Sequence, residues 1–238
     1  MGGRIIIVGG GFAGVKCART LRKLLPPEWE LVLFNRENHM VFHPLLAEVV
    51  SATVQPKDVG APLRQLLRGV ICRAEEVTNI LPEGKRLFYE GYDGQVRPMH
   101  YDHLVLTCGN TVNLSLIQGM DEHAFPLKTL GDALALQSHI MEQLEKAEVC
   151  ENAAVRASYL TFLVVGGGFS GVEVAGEIND LVKSSARYFH NFKASDIKVV
   201  IVHSGKAILP EVGENLRLFA RRGAVPSRRD RGLSGRRR

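Results

Sequence analysis

Only four cysteines occur in the 238 residues, Cys17, Cys72, Cys108 and Cys150, and no two of them form a CxxC pair or stand at metal-ligand spacing. That pattern argues against a disulfide framework and against structural zinc, and makes a reducing cytoplasm the expected setting. Long apolar runs are also missing. Ile5-Ile6-Ile7-Val8 near the N-terminus is too short for a signal peptide, and nothing approaches the ~18 apolar residues of a membrane span. The eight histidines lack metal-ligand spacing, and His39, His43 and His190 read as local hydrogen-bonding residues.

A net positive charge is also missing, outside one end of the chain. The formal charge is +5. Nine arginines and one acid, Asp230, fall between Arg217 and Arg238, so that segment alone carries +8 and residues 1–216 carry −3. A basic body that would bind nucleic acid is therefore absent, and specific nucleic-acid recognition is not expected. The last residues, Gly223 to Arg238, are rich in Arg, Gly, Ser and Pro without apolar period and read as a disordered tail. With 45% hydrophobic and 23% charged residues, the remainder can bury a sizeable core, and its length allows one large or two small domains.

What is present is a pattern that occurs twice. Arg4–Val8 reads as a buried parallel strand, Phe12–Leu25 as a helix ended by Pro26-Pro27, and Leu31–Phe34 as a second strand, which together make a βαβ unit. Leu160–Val165, Val172 to about Phe189 and Ile197–Val202 repeat it. Between them the sequence predicts a short helix at Leu63–Leu67, a hairpin around Arg86–Tyr92 with Gly94, a strand at Tyr101–Thr107, and a helix from Asp132 to about Ala147. The glycine clusters that begin at Gly9 and Gly166 are 157 residues apart, a spacing suited to two homologous nucleotide-binding domains. The fold class expected is α/β, with two Rossmann-like dinucleotide-binding βαβ domains, the second incomplete.

Each cluster fits GxGxxG: Gly9, Gly11 and Gly14 in the first, and Gly166, Gly168 and Gly171 in the second. Each follows a predicted strand and opens a helix, the context the motif requires. The first glycine makes the tight turn, the second lets backbone approach a pyrophosphate, and the third lets helix pack on strand. A dinucleotide site usually has an acid at the end of its second strand to hold the adenosine ribose. Here Asn35, followed by Glu37, and His203, followed by Ser204, stand in that place. Asparagine can bond a ribose hydroxyl, and His203 with Lys206 nearby removes the usual repulsion toward a 2′-phosphate, so the second site is open to NADH or NADPH. Two dinucleotide sites in one chain suggest that one cofactor passes electrons to the other.

The order of segments resembles the two-dinucleotide-binding-domain flavoproteins and, within them, the type II NADH:quinone oxidoreductases. The resemblance rests on Ile5 to Gly14, on Asn38 to Val49 (NHMVFHPLLAEV), on Tyr101 to Gly109 (YDHLVLTCG), on Leu127 to Leu130 with Asp132-Ala133, on Val164 to Glu177, and on Ile208-Leu209-Pro210. It implies FAD at the first fingerprint, NADH or NADPH at the second, and a quinone as electron acceptor. Residue by residue, it places Gly9, Gly11, Phe12, Ala13 and Gly14 on the FAD pyrophosphate, Asn35 and Arg36 at the adenosine end, and the Val77 backbone on adenine. Pro44 and Leu45 would line the isoalloxazine, and Gly109 would belong to the loop that returns to FAD. Gly168, Ser170 and Gly171 would hold the nicotinamide nucleotide, with Glu173 as a catalytic carboxylate near the rings.

The resemblance also implies domains at 1–155 (FAD), 156–222 (part of the NAD(P)H domain) and a tail at 223–238. No cysteine stands in the segment Phe42–Val50, which disfavours a disulfide reductase, and Cys150 is the one thiol to consider for a sulfide reductase. Only 67 residues follow Gly171. A C-terminally truncated or frameshifted chain is therefore expected, without the family's closing FAD segment or membrane-lying helices, and an inactive dinucleotide-binding fragment is the alternative reading. The localisation implied is cytoplasmic, with peripheral contact at the inner face of a membrane.

Overall fold

A strand such as Ile5-Ile6-Ile7 has no polar face, so it is stable where both of its faces are covered. The computed structural model, which describes residues 2–223, uses it that way. Of the tail expected at 223–238, only Gly223 lies among the described residues.

Along the chain come β1 (Arg4–Val8), α1 (Phe12–Leu24), β2 (Glu30–Phe34), β3 (His39–Val41), a 3-10 turn at His43–Leu45, and the short helices α2 (Leu46–Val50) and α3 (Pro56–Val59). Then follow β4 (Gly60–Pro62), α4 (Leu63–Leu66), β5 (Ile71–Arg73), β6 (Glu76–Leu81), β7 (Arg86–Glu90), β8 (Val96–His100) and β9 (His103–Leu106). The remainder holds α5 (Met120–His123), α6 (Leu130–Val149), α7 (Ala153–Tyr159), β10 (Thr161–Val165), α8 (Phe169–Ser185), β11 (Lys198–Val202) and α9 (Glu214–Gly223). The chain divides into two compact units, one of residues up to Leu46 with Gln55–Asp132, the other of Ala47–Val54 with the residues from Ala133 onward.

In the first unit β1 lies inside a four-stranded sheet of order β5-β2-β1-β9, parallel throughout. Successive side chains of a strand point to opposite faces, so Ile6, Val32 and Phe34 pack on one side with Leu87, Tyr89 and Tyr101, while Ile7 and Leu33 pack on the other with Val15 and Ala18 of α1 and with Leu63 and Leu67. The first of these faces is covered by the antiparallel sheet β6-β7-β8, which extends the expected hairpin by one strand. Helix α1 ends before Pro26, because the residue ahead of a proline pair is pushed into extended backbone, as Leu25 is at ψ 144°.

The second unit repeats strand, glycine turn, helix and strand. Its β10 and β11 pair in parallel, Thr161 opposite Lys198 through Val165 opposite Val202. Ala175, Ile178 and Val182 form the buried side of α8, and Phe162 and Val164 the buried side of β10. The expectation of a fully buried strand is corrected here. Leu163 is 65% exposed, and Val165, Val200 and Val202 are exposed with it, so among the described residues this sheet is covered on one face only. The helices also begin earlier than periodicity predicts: α8 starts at Phe169, inside the glycine motif, and α6 at Leu130, where Asp132 accepts from the Lys128 and Thr129 N–H groups at 2.9 and 2.7 Å.

The contrast between the two sheets predicts unequal responses to the same substitution. Leu33→Ala, at a fully buried position, is expected to cost about 2–5 kcal/mol. Leu163→Ala should stay within about 0.5 kcal/mol, as exposed sites do. Urea midpoints of the two variants measure the difference.

Candidate functional site

Both glycine turns are built to one plan. Gly9 has φ 109° and Gly166 φ 119°, a region that side chains rarely adopt. The N–H of each donates to the carbonyl of the last residue of the second strand, Gly9 to Phe34 at 2.8 Å and Gly166 to Val202 at 2.9 Å. The third glycine of each motif is excluded from carrying a side chain, since a Cβ on Gly14 or Gly171 would overlap the carbonyl oxygen of Gly9 or Gly166. Gly11 and Gly168 stand at the helix N-caps with nearly the same backbone, φ −79° in both, and a Cβ on either would face open space.

The result is two helix N-termini opening onto free space, with no acid in the first turn of either helix. Unsatisfied N–H groups and the positive end of the dipole meet an anion there. This is the shape and charge that a pyrophosphate requires, so the chain's residues fit dinucleotides at both turns. Phe12 and Ala13 in the first, and Ser170 in the second, are exposed on those first turns.

The middle glycines show what stands in place of the ribose acids. Gly10 N–H donates to Asn35 Oδ1 at 2.8 Å, and Asn35 Nδ2 donates to the Glu37 carbonyl at 2.8 Å. Gly167 N–H likewise donates to His203 Nδ1 at 3.2 Å. Both side chains therefore brace the turn, a use that residue type alone did not reveal. Arg36, beside Asn35, is exposed and lies 3.8 Å from Glu76, a separation at which an exposed pair contributes little. Val77, next to Glu76, is half-buried against the core at a β-bulge opposite Tyr89.

Further residues of the first unit join the turn without having been predicted. Thr107, just past β9, directs its hydroxyl to the carbonyls of Val8 (2.9 Å) and Gly9 (3.0 Å). The exposed ring of Phe12 meets Phe42 edge-on at 5.6 Å, and His43 lies 6.4 Å away, just ahead of the exposed Pro44 and the half-buried Leu45. Burial holds the His43 imidazole below its ordinary range, the nearby Lys128 ammonium adds to this, and a hydrogen bond with the Lys128 backbone opposes it. Lys128 Nζ donates to Asn110 Oδ1 at 2.6 Å. Gly109, with φ 68° and open space at its Cβ, turns the chain after Thr107 and Cys108. The signal for Thr107 was its place at a strand end; Lys128 and His43 are 85 residues apart, and no local pattern joins them.

Gly168, Ser170, Gly171, Glu173 and His203 all belong to the second unit, and Glu173 is exposed on α8. All four cysteines are free; Cys108 is exposed, and the Cys150 thiol donates to the Asn152 carbonyl at 3.4 Å. Among the described residues, no group of three or more His, Cys, Asp or Glu can hold a metal, and no helix is long and apolar enough to cross a membrane.

Paired turns of this kind define a dinucleotide-binding fold, and residues 3–224 match the family described as pyridine nucleotide-disulphide oxidoreductase. The chain belongs to that family. It is 30% identical over 217 residues to the type II NADH:quinone oxidoreductase Ndh of Mycobacterium tuberculosis, with 90% of this chain and 46% of that protein covered. It is also 30% identical to the demethylphylloquinone reductase NdbB of a Synechocystis strain, over 87% of this chain and 47% of that protein. The chain thus spans about half the length of the curated relatives it matches. Its fold is that of NDH2 from Plasmodium falciparum, solved in complex with NADH, at TM-score 0.86 and 24% identity over 93% of this chain and 46% of that one.

A histidine disfavoured from protonation by burial loses stability when acid forces it to protonate. The His43 contribution is thus present above the ordinary value of about 6.5 and is lost as pH falls below it. A proton NMR titration is expected to place its midpoint below about 6.5. In Lys128→Ala the midpoint should rise and stay below that value, because burial is the larger cause.

Proposed function

We propose that this protein is a flavin-dependent oxidoreductase in which a hydride passes from NAD(P)H to FAD and electrons pass on to a quinone. The observation that carries the reading is the pair of glycine turns with matching backbone angles, each opening a helix whose first turn has no acid into free space. Family membership and the names of the relatives support the assignment of the first turn to FAD and the second to the nicotinamide nucleotide. In functional terms we divide the chain into an FAD-binding domain over 1–155, a nicotinamide-nucleotide domain over 156–222, and a basic tail.

When bound, FAD supplies the two-electron acceptor that the chain's own side chains lack. The N–H groups at Gly11 and the start of α1 would neutralise its pyrophosphate, and those at Gly168 and the start of α8 the pyrophosphate of the nicotinamide nucleotide. Asn35 and His203 keep the two turns in shape. Arg36 and the Val77 backbone would meet adenosine, and Phe42, Pro44 and Leu45 would give an apolar lining that excludes water from the ring system. Lys128 would hold a positive charge beside His43, suited to stabilising negative charge that develops nearby. Glu173 would orient the nicotinamide or hold a proton for the quinone. We propose a cytoplasmic location, and peripheral contact at the inner face of a membrane because a quinone dissolves in lipid.

The test is direct. The purified chain, reconstituted with FAD, should show a flavin spectrum that bleaches on anaerobic addition of NADH or NADPH and returns on addition of a quinone. Gly11→Glu should abolish flavin retention, because its carboxylate would stand in the phosphate's place. Glu173→Gln should keep the flavin and slow quinone reduction by about tenfold or more. A colourless wild-type protein that FAD cannot reconstitute would overturn the reading.

A further inference from the structure

The loop that follows β11 is His203-Ser204-Gly205-Lys206-Ala207-Ile208, and its geometry is fixed from both ends by one residue of the second glycine turn. His203 Nδ1 accepts from the Gly167 N–H at 3.2 Å, and the Leu209 N–H donates to the Gly167 carbonyl at 2.7 Å. The loop is therefore held beside the place where the turn opens, and Lys206 sits at its middle. Leu209 is buried with φ 49°, which marks the return of the chain.

What this loop offers a ligand is cationic and donor-rich. It contains no acid. Ser204, Gly205 and Lys206 are exposed, and their backbone N–H groups donate to no described residue. Lys206 makes no ion pair with a described residue. The imidazole of His203 is turned inward, with its Nδ1 engaged as an acceptor, and a Cβ on Gly205 would strike the far side of the ring. So at the position from which a carboxylate would hold the 2′- and 3′-hydroxyls of an unphosphorylated ribose there is no carboxylate, and the ring nitrogen that accepts is already engaged. A ribose 2′-phosphate instead needs donors and a cation, and would be repelled by an acid.

We propose that the loop is a 2′-phosphate subsite, with Lys206 and the Ser204 hydroxyl and backbone as its donors, so that the second turn takes NADPH in preference to NADH. His203 is a positioning residue that acts through the turn. The inference rests on the second turn being the nicotinamide-nucleotide site, and it adds which nucleotide that site selects.

The experiment compares ADP-ribose with 2′-phospho-ADP-ribose, which carry the adenosine end and cannot react, by calorimetric titration of the full chain at low salt. The phosphorylated form is expected to bind about fivefold or more tightly, with the gap narrowing as salt shortens the range of the Lys206 charge. Lys206→Ala should remove most of that advantage while leaving ADP-ribose within about twofold, and Lys206→Arg should keep it. Equal or weaker binding of the phosphorylated form, or a Lys206→Ala loss shared equally by both ligands, would overturn the subsite and leave the nucleotide site standing. Binding of neither ligand would overturn the nucleotide-site reading itself, and the subsite with it.

Discussion

The close approach of Gly14 to the carbonyl of Gly9, and of Gly171 to the carbonyl of Gly166, is the constraint on which both units depend. A helix that starts this near the strand feeding it has its first N–H groups beside the strand's end, in the space left open at Gly11 or Gly168. Any Cβ at the third glycine would force the helix away from the turn and re-aim those donors. Close packing and the aim of those donors are thus one requirement, met by the same missing side chain. The positive φ of Gly9 and Gly166 follows from it, because the chain must reverse in a single residue between a strand and a helix that touch.

Bracing the turn has displaced another function. Asn35 and His203 occupy the places where an acid commonly faces a ribose, yet each turns its acceptor to the N–H of the middle glycine. Asn35 is held at both ends of its amide, by Gly10 and by the Glu37 carbonyl. His203 engages one nitrogen, and Gly205 leaves room for its ring. The exposed cation next along the chain is Arg36 in one unit and Lys206 in the other. The two turns thus have unlike surroundings although their backbones match.

The elements that were legible in the sequence are those whose stability is local or strongly patterned. The runs Ile5–Val8 and Leu31–Phe34 have no polar face, the glycine motifs fix the turns, and Pro26 limits α1. The three-residue strands β3, β4 and β5 were not legible, because so short a segment has no period and is held by its partners alone. In β6 the bulge between Val77 and Asn79 breaks the alternation that would have announced a strand. At the site, residue type showed that Asn35 and His203 were not acids, but not which donor each would accept. Thr107 and Lys128 act on residues about a hundred and 85 positions away, a relation that only the fold creates.

The two copies of the motif also show what an apolar run does and does not report. Leu163 and Val200 read like Ile6 and Val32, yet the former pair is exposed and the latter is buried. The difference lies in the neighbours. In the first unit β9 pairs with β1 and a three-stranded sheet covers one face, whereas among the described residues β10 pairs with β11 alone. The same difference reaches the turns. A Cβ on Gly9 would strike the Thr107 carbonyl, so that glycine is required by its φ and by a neighbour, while a Cβ on Gly166 meets nothing and only φ requires it. In place of a third strand, the Leu209 N–H on the Gly167 carbonyl steadies the second turn, and it does so through the loop that carries Lys206. Support of the turn and presentation of the cation are therefore properties of one short segment, and a change that loosens Leu209 would be felt at both.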